Sequence, residues 1–314
     1  MTRRAAAWLG RVLLGVGLIA CQDARPDAGS ADSVKVTERA VRGILRVGAL
    51  TDRALDEASG AVVGTRRPNV YWSQNDRGNR AELFAYDSTG RALGTVPVSG
   101  VSNVDWEALS LGPCATGSCL YIADVGDNSA SRDEVQIYRI PEPLPGDEGT
   151  PSAAVLRIAH RGGPRDIEAM WVAPDTSLWL LTKRPDPDST GRLRQVRLAR
   201  VAASAWRSDT LVVAVFLDSL PIVPDLTSSA RWVTDAALSA LDAEGKAKLA
   251  VLTYGYVYVF DASAKMGRPG ALVARCALKG VPENFSEGIT WLPDGRLLFV
   301  NEGRGAGLYV GFCP

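Results

Sequence analysis

Five acidic residues recur at the head of short apolar stretches: Glu57, Glu107, Glu168, Asp235 and Glu287. Each is followed by small or apolar residues, as in Glu57-Ala58-Ser59-Gly60, Glu168-Ala169-Met170 and Glu287-Gly288-Ile289. Consecutive copies lie 50, 61, 67 and 52 residues apart. Carboxylates brought together repel unless they are protonated or neutralised by a cation. Oxygen donors suit a hard divalent ion, so calcium is the expected partner, ahead of magnesium or manganese. Zinc is disfavoured, because the chain holds a single histidine, His160. That count also makes any Ser-His-Asp or Cys-His centre depend on His160 alone. The remaining alternative is that the acids cap turns or pair with Arg77, Arg132, Arg165 or Arg184.

The elements that must position these acids are strands. After each acidic start comes a second run of strand formers: Val70–Ser73, Leu120–Ala123, Leu178–Leu181, Leu249–Leu252 and Leu297–Val300. Third strands fit 82–86, 135–140, 192–198, 257–260 and 307–311. Fourth strands fit 94–98, 154–159, 210–216 and 271–277. The spacing predicts an all-β propeller of five four-stranded blades. The last copy lacks a fourth strand, and the spare strand at 43–48 is expected to complete it and close the ring. Six blades remain open if 163–230 hides a degenerate one, and a pair of β-sandwiches is the other arrangement. Tryptophans 72, 106, 171, 179 and 291 sit at strand spacing and are assigned to the core.

In such a ring the head of each first strand lies at one mouth of the central channel. The end of each second strand returns to it. The five acids are therefore expected to hold the metal, with a rim of Asp76, Asp124, Asp127, Asn128, Lys183, Arg184 and Asn301, and with Asn75 and Glu302 at the same strand ends. Lys183 and Arg184 would either hold a phosphate or neutralise the acids directly. His160 would reach the same mouth as a proton donor, or lie on the surface.

The chain has 314 residues, no net charge and 46% hydrophobic residues. A general basic surface for nucleic acid is not indicated. Arg3, Arg4 and Arg11 precede a short apolar run, too short to span a bilayer comfortably. It ends in Leu18-Ile19-Ala20-Cys21, which resembles the bacterial lipobox. That resemblance implies a signal peptide over 1–21 and lipidation of Cys21; an ordinary signal peptide or an uncleaved anchor is the alternative. Residues 22–40 are polar and include Pro, Gly, Ser and Asp, which suits a flexible tether. The propeller domain is assigned to 41–314. The expected location is the bacterial cell envelope, with a monomer touching the membrane only through its lipid anchor.

Four cysteines remain after Cys21. An even set in an exported chain favours disulfides over free thiols. Cys114 and Cys119 flank a four-residue turn and are expected to pair, leaving Cys276 with Cys313.

The runs Asp105-Trp106-Glu107, Asp124-Val125-Gly126-Asp127-Asn128, Tyr138-Arg139-Ile140-Pro141-Glu142-Pro143 and Asp166-Ile167-Glu168-Ala169-Met170 resemble a group of secreted bacterial propellers without an assigned activity. The similarity covers about 45–303 and implies a propeller. A weaker resemblance runs to five-bladed, calcium-dependent nucleotidases of the apyrase type and to phytase-like propellers. It implies one ligand per blade around a central calcium, at the five acids named above. It also implies basic residues for substrate at Lys183 and Arg184, and a small anionic ligand. On that basis the expected activity is calcium-dependent hydrolysis of a phosphoester or phosphoanhydride. A non-catalytic binding or scaffold module and a lactonase-type hydrolase are the alternatives.

Overall fold

The computed structural model describes residues 38–314, apart from 185–186, 226, 280 and 282–285. The signal segment, Cys21 and most of the tether lie outside the described residues. The rest forms one compact unit. Among the described residues the only helical elements are two short 3-10 turns, at Ala203–Arg207 and Ser229–Arg231.

Two strands open the chain, β1 (Glu38–Ala40) and β2 (Arg42–Ala49). The first antiparallel set is β3 (Ala58–Val63), β4 (Tyr71–Asn75), β5 (Glu82–Tyr86) and β6 (Ala92–Pro97). The second is β7 (Trp106–Pro113), β8 (Ser118–Asp124), β9 (Val135–Pro141) and β10 (Ala154–His160). The third is β11 (Ile167–Val172), β12 (Leu178–Thr182), β13 (Arg197–Val201) and β14 (Val212–Ser219). The fourth is β15 (Val233–Leu238), β16 (Ala247–Thr253), β17 (Tyr256–Ala262) and β18 (Pro269–Ala277). The last is β19 (Ser286–Trp291), β20 (Leu297–Asn301) and β21 (Gly307–Phe312), completed by β2.

The first strands of the sets, β3, β7, β11, β15 and β19, pack on one another in that order, and β19 packs on β3. The architecture is all-β and propeller-like. The second and third sets merge into one eight-stranded sheet, because β10 and β14 pair in parallel over Ile158–His160 and Val212–Ala214.

Strand periodicity explains the core. Successive side chains point to opposite faces, and here both faces of a set are covered. In β8, Leu120 and Ile122 pack with the first set, around Trp72 and Leu83. Tyr121 and Ala123 pack with the third, around Met170 and Leu180. The remaining junctions repeat this arrangement. That is why the second strands read as unbroken apolar runs rather than alternating ones. Trp72, Trp106, Trp171 and Trp179 are almost completely buried in these cores, as their spacing predicts. Trp291 is only partly buried.

Close approach of the first strands demands glycine. Gly60 has φ +86°, and a Cβ there would lie 2.7 Å from the Leu109 nitrogen. A Cβ on Gly288 would lie 2.8 Å from the carbonyl carbon of Gly60.

The N-terminus differs from expectation in one respect. Residues 38–40, assigned to the tether, form β1, which pairs in parallel with β18. The chain then crosses to the last set as β2, so one short segment joins two sets. Cys276–Cys313 links the same two sets, and Cys114–Cys119 closes the β7–β8 turn. Both pairings follow the expectation from spacing. A further difference lies in the third set. Its third strand is Arg197–Val201, not 192–198, because residues before it fold as a turn around Asp188. The Asp188 carboxylate accepts from the Thr190 and Arg192 nitrogens.

Candidate functional site: an acid-lined pocket at the strand heads

Register brings the heads of first strands beside the ends of second strands. Trp106 pairs with Asp124, Ile167 with Thr182, Val233 with Thr253 and Ser286 with Asn301. In these four pairs the residue after the first partner is bulged out of the ladder. Those residues are Glu107, Glu168, Thr234 and Glu287. A bulge re-aims a side chain, and three of the four are glutamates.

A pocket of about 140 Å³ opens there. It is lined by Glu57, Ser59, Glu107, Glu168 and Glu287 from the first strands and the turn before β3. The turns that follow the second strands add Asp76, Asn128, Lys183, Tyr254 and Glu302. Six carboxyl groups thus share a small space with one ammonium. Lys183 Nζ donates to Glu168 Oε1 at 2.7 Å, and both side chains are largely buried. The Glu107 carboxyl lies against that of Glu168, and Asp76 against Glu57, each near enough to its partner to raise the proton affinity of Glu107 and of Asp76. Asn79 Nδ2 donates to Glu57 Oε2 at 2.6 Å. Tyr254 hydrogen-bonds the Glu287 carboxyl. Gly126 backs this wall, where any Cβ would overlap the carboxyls of Glu107 and Asp105.

The electrostatics follow from burial and crowding. Burial first, then the proximity of Glu57, raises Asp76 to about 7. Burial also raises Glu168 to about 8, against the opposing pull of Lys183. Glu287 rises to about 7, again through burial, with the Tyr254 hydrogen bond pulling the other way. Glu107 is pushed well up by burial and by the Glu168 charge. Lys183 is held above its ordinary value: burial works against the charged form, and Glu168 outweighs it.

Not every expected residue arrives here. Asp235 does not line the pocket. It is fully buried one residue past the bulge, where it accepts from the nitrogens of Ala236 and Ile289, both at 2.8 Å. It staples β15 to β19. The bulge position belongs to Thr234, whose hydroxyl donates to the Ser286 carbonyl at 2.9 Å. Ser59 does the same toward Glu107, at 2.8 Å.

Among the rim residues, Asp76, Asn128 and Lys183 line the pocket, and four others do not. Asp124 is buried against Arg132 at 2.8 Å and accepts from the Asp105 nitrogen and the Tyr138 hydroxyl. Asp127 closes its own turn by accepting from the nitrogens of Ser131 and Arg132. Arg184 stacks on Trp232, 4.6 Å from the ring centre. Asn301 accepts from Ser286 Oγ, and its neighbour Glu302 lines the pocket instead. His160 is neither at this mouth nor on the surface. It is buried at the end of β10, stacked on Phe216, and burial with the nearby Arg165 lowers it to about 4.

Sequence reasoning omitted Tyr254, Ser59 and Thr234. Tyr254 follows β16 at the same offset as Lys183 follows β12, so register alone could have found it.

The donor chemistry fits a hard divalent cation: every lining donor but Lys183 is oxygen or amide, and negative charge is in excess. As they stand, however, the described acids form no group of three at metal-holding separation. A cation would have to draw them inward and compete with Lys183 for Glu168.

No protein-family model matches the chain, and no curated protein is significantly similar to it. Solved structures are similar. A glucose dehydrogenase is 10% identical with a TM-score of 0.50, over 86% of this chain and 98% of that one. The soluble aldose sugar dehydrogenase of Escherichia coli is 12% identical with a TM-score of 0.47, over 85% and 98%. A gluconolactonase from Xanthomonas campestris is 12% identical with a TM-score of 0.40, over 89% and 98%. At these identities the likeness is one of fold. The chain is an all-β protein of the propeller class, and the resemblance to apyrases or phytases gains no specific support.

Proposed function

We propose that this is an exported, five-bladed propeller hydrolase whose acid-lined pocket takes a hard divalent cation, calcium first, and opens a neutral ester such as a lactone. The carrying observation is the Lys183–Glu168 ion pair, 2.7 Å long, inside a pocket of six carboxyls. A phosphate substrate would need free cations, and here the one lining ammonium is already committed. Arg184 lies outside, on Trp232. Beyond the ion itself, no lining cation is free to take the further negative charge of a phosphoester, whereas a neutral carbonyl compound asks for none.

Glu57, Glu107, Glu168, Glu287 and Asp76 would hold the ion, which when bound would polarise a carbonyl oxygen. The chain's own residues supply the rest. Lys183 fixes the Glu168 carboxylate. Tyr254 orients Glu287. Glu302, a pocket carboxyl outside the ion-holding set and raised by burial, is placed to accept a proton from water and return it to the leaving oxygen. Export through the 1–21 segment and lipidation at Cys21 belong to the same proposal, and the two disulfides support an oxidising compartment.

The test is turnover of γ- and δ-lactones and of p-nitrophenyl phosphate, each with calcium and with a chelator. Calcium-dependent acid release from lactones and no phosphate release is the expected result. Phosphate release without lactone opening would overturn it.

A further inference from the structure

The five first strands have another end, and it is built differently. There a cavity of about 360 Å³ opens, lined by residues from the far ends of β3, β7, β11, β15 and β19. Val63, Leu111, Val172, Leu238 and Trp291 are among its apolar lining, and no charged residue lines it. Trp291 Nε1 donates to the Ala237 carbonyl at 3.0 Å, which fixes the indole against the wall.

Two hydroxyls break the apolar lining. Thr290 is only 7% exposed, and its hydroxyl makes no hydrogen bond among the described residues. Ser110 Oγ accepts from the Val172 nitrogen at 3.2 Å, which leaves its O–H free to donate. Ser239, at the rim, is already committed to the Ala240 carbonyl and the Lys248 nitrogen. Both hydroxyls belong to residues that line the cavity, where a bound molecule could meet them.

We propose that this cavity is a second ligand site, for a small neutral molecule of one or two rings that carries a hydroxyl or carbonyl group. Its volume lies in the range of small-molecule pockets, and an apolar wall with a few placed polar groups is their usual construction. The lining offers no charged partner to an ion, and the two hydroxyls offer one donor and one exchangeable donor-acceptor. The site stands apart from the acidic pocket and does not depend on the activity proposed there.

The probes are 2-naphthol and naphthalene, followed by fluorescence titration in the presence of EDTA. Both should bind with one-to-one stoichiometry, and chelation should not matter. Thr290→Val, which keeps the shape and removes the hydroxyl, should weaken 2-naphthol about five- to tenfold and leave naphthalene unchanged. Ala237→Phe should fill the cavity and abolish binding of both. If that variant fails to fold, Ala240→Trp, a substitution at the exposed rim, serves the same purpose. No saturable binding of either probe, binding unaffected by the filling variants, or equal loss of both probes in Thr290→Val would overturn the proposal.

Discussion

Lys183 Nζ sits 2.7 Å from Glu168 Oε1 and is the one ammonium among the six carboxyls of the pocket. The pair is buried, so removing one partner leaves an uncompensated charge. Lys183→Met should lower stability by about 3–5 kcal/mol at pH 8 in chelator. Added calcium should restore much of it. Chemical denaturation with and without calcium reads both effects, and a loss below about 1 kcal/mol would remove the pair from its central place.

Calcium itself should raise the melting temperature, since a ligand that binds only the folded form contributes about 2.7 kcal/mol at a hundredfold excess over Kd. Glu107→Gln and Glu168→Gln should each blunt that response. Asp235→Asn should not, although it should cost about 1–3 kcal/mol by disturbing buried backbone donors. Glu142 lies away from the pocket, yet replacing it would disturb the structure. It is buried and accepts from Thr65, Arg66 and Ser118. Exposed Glu148 is the better control. An unchanged calcium response in Glu107→Gln and Glu168→Gln would exclude them as ligands.

Stability should depend on pH with a definite sign. Asp76 and Glu287 are raised to about 7 and Glu168 to about 8, so the folded state holds more protons than the unfolded chain above pH 4. Their contribution is complete below the ordinary carboxyl range and is lost as pH rises through about 7 to 8. His160 acts oppositely: lowered to about 4, it contributes above its ordinary value of 6.5 and loses this as pH falls toward 4. Calorimetry in chelator should therefore show a fall in Tm between pH 6 and 8. Calcium should flatten that fall. A Tm that rises steadily from pH 6 to 8 would contradict the crowded-carboxyl picture.

The two disulfides should differ in weight. Cys276–Cys313 encloses a 37-residue separation and Cys114–Cys119 only five. Loop-closure entropy gives about 4 kcal/mol for the former and about 2 kcal/mol for the latter. Denaturant midpoints of the paired Cys→Ala variants compare them, and an inverted order would show that chain entropy does not dominate.

Membrane attachment can be tested without the structure. Cys21→Ser should abolish lipid labelling and release the protein from the membrane fraction. Labelling that persists in the variant would sink the lipobox assignment.

Strand order was legible because both faces of each set are buried, which leaves long apolar runs separated by turns. The pocket was legible in part for the same reason: Glu107, Glu168 and Glu287 stand at strand heads. Asp235 was misplaced by one residue because a bulge decides which side chain turns inward, and Thr234-Asp235-Ala236 fits either alignment. Asn301 and Glu302 are both expected at the mouth from their place after the second strand, and of the two only Glu302 lines the pocket. The stacking of Arg184 on Trp232 joins residues distant in the chain, and no local pattern announces it. His160 was expected at the mouth, but its strand ends on the seam with β14, a pairing between sets that a repeat pattern does not encode.

The N-terminal clasp has a consequence for synthesis. Arg39 donates to the carbonyl of Pro314, 275 residues away, and β1 and β2 pair only with strands near the end of the chain. β1 and β2 therefore wait, with their ladder groups unpaired, until β18 and β21 have been made. Contacts of such long range slow folding. Closing the ring through β1 and β2 should accordingly be a late folding step, and a chain lacking β21 would leave β20 and β2 without the strand they share, as two unpaired edges.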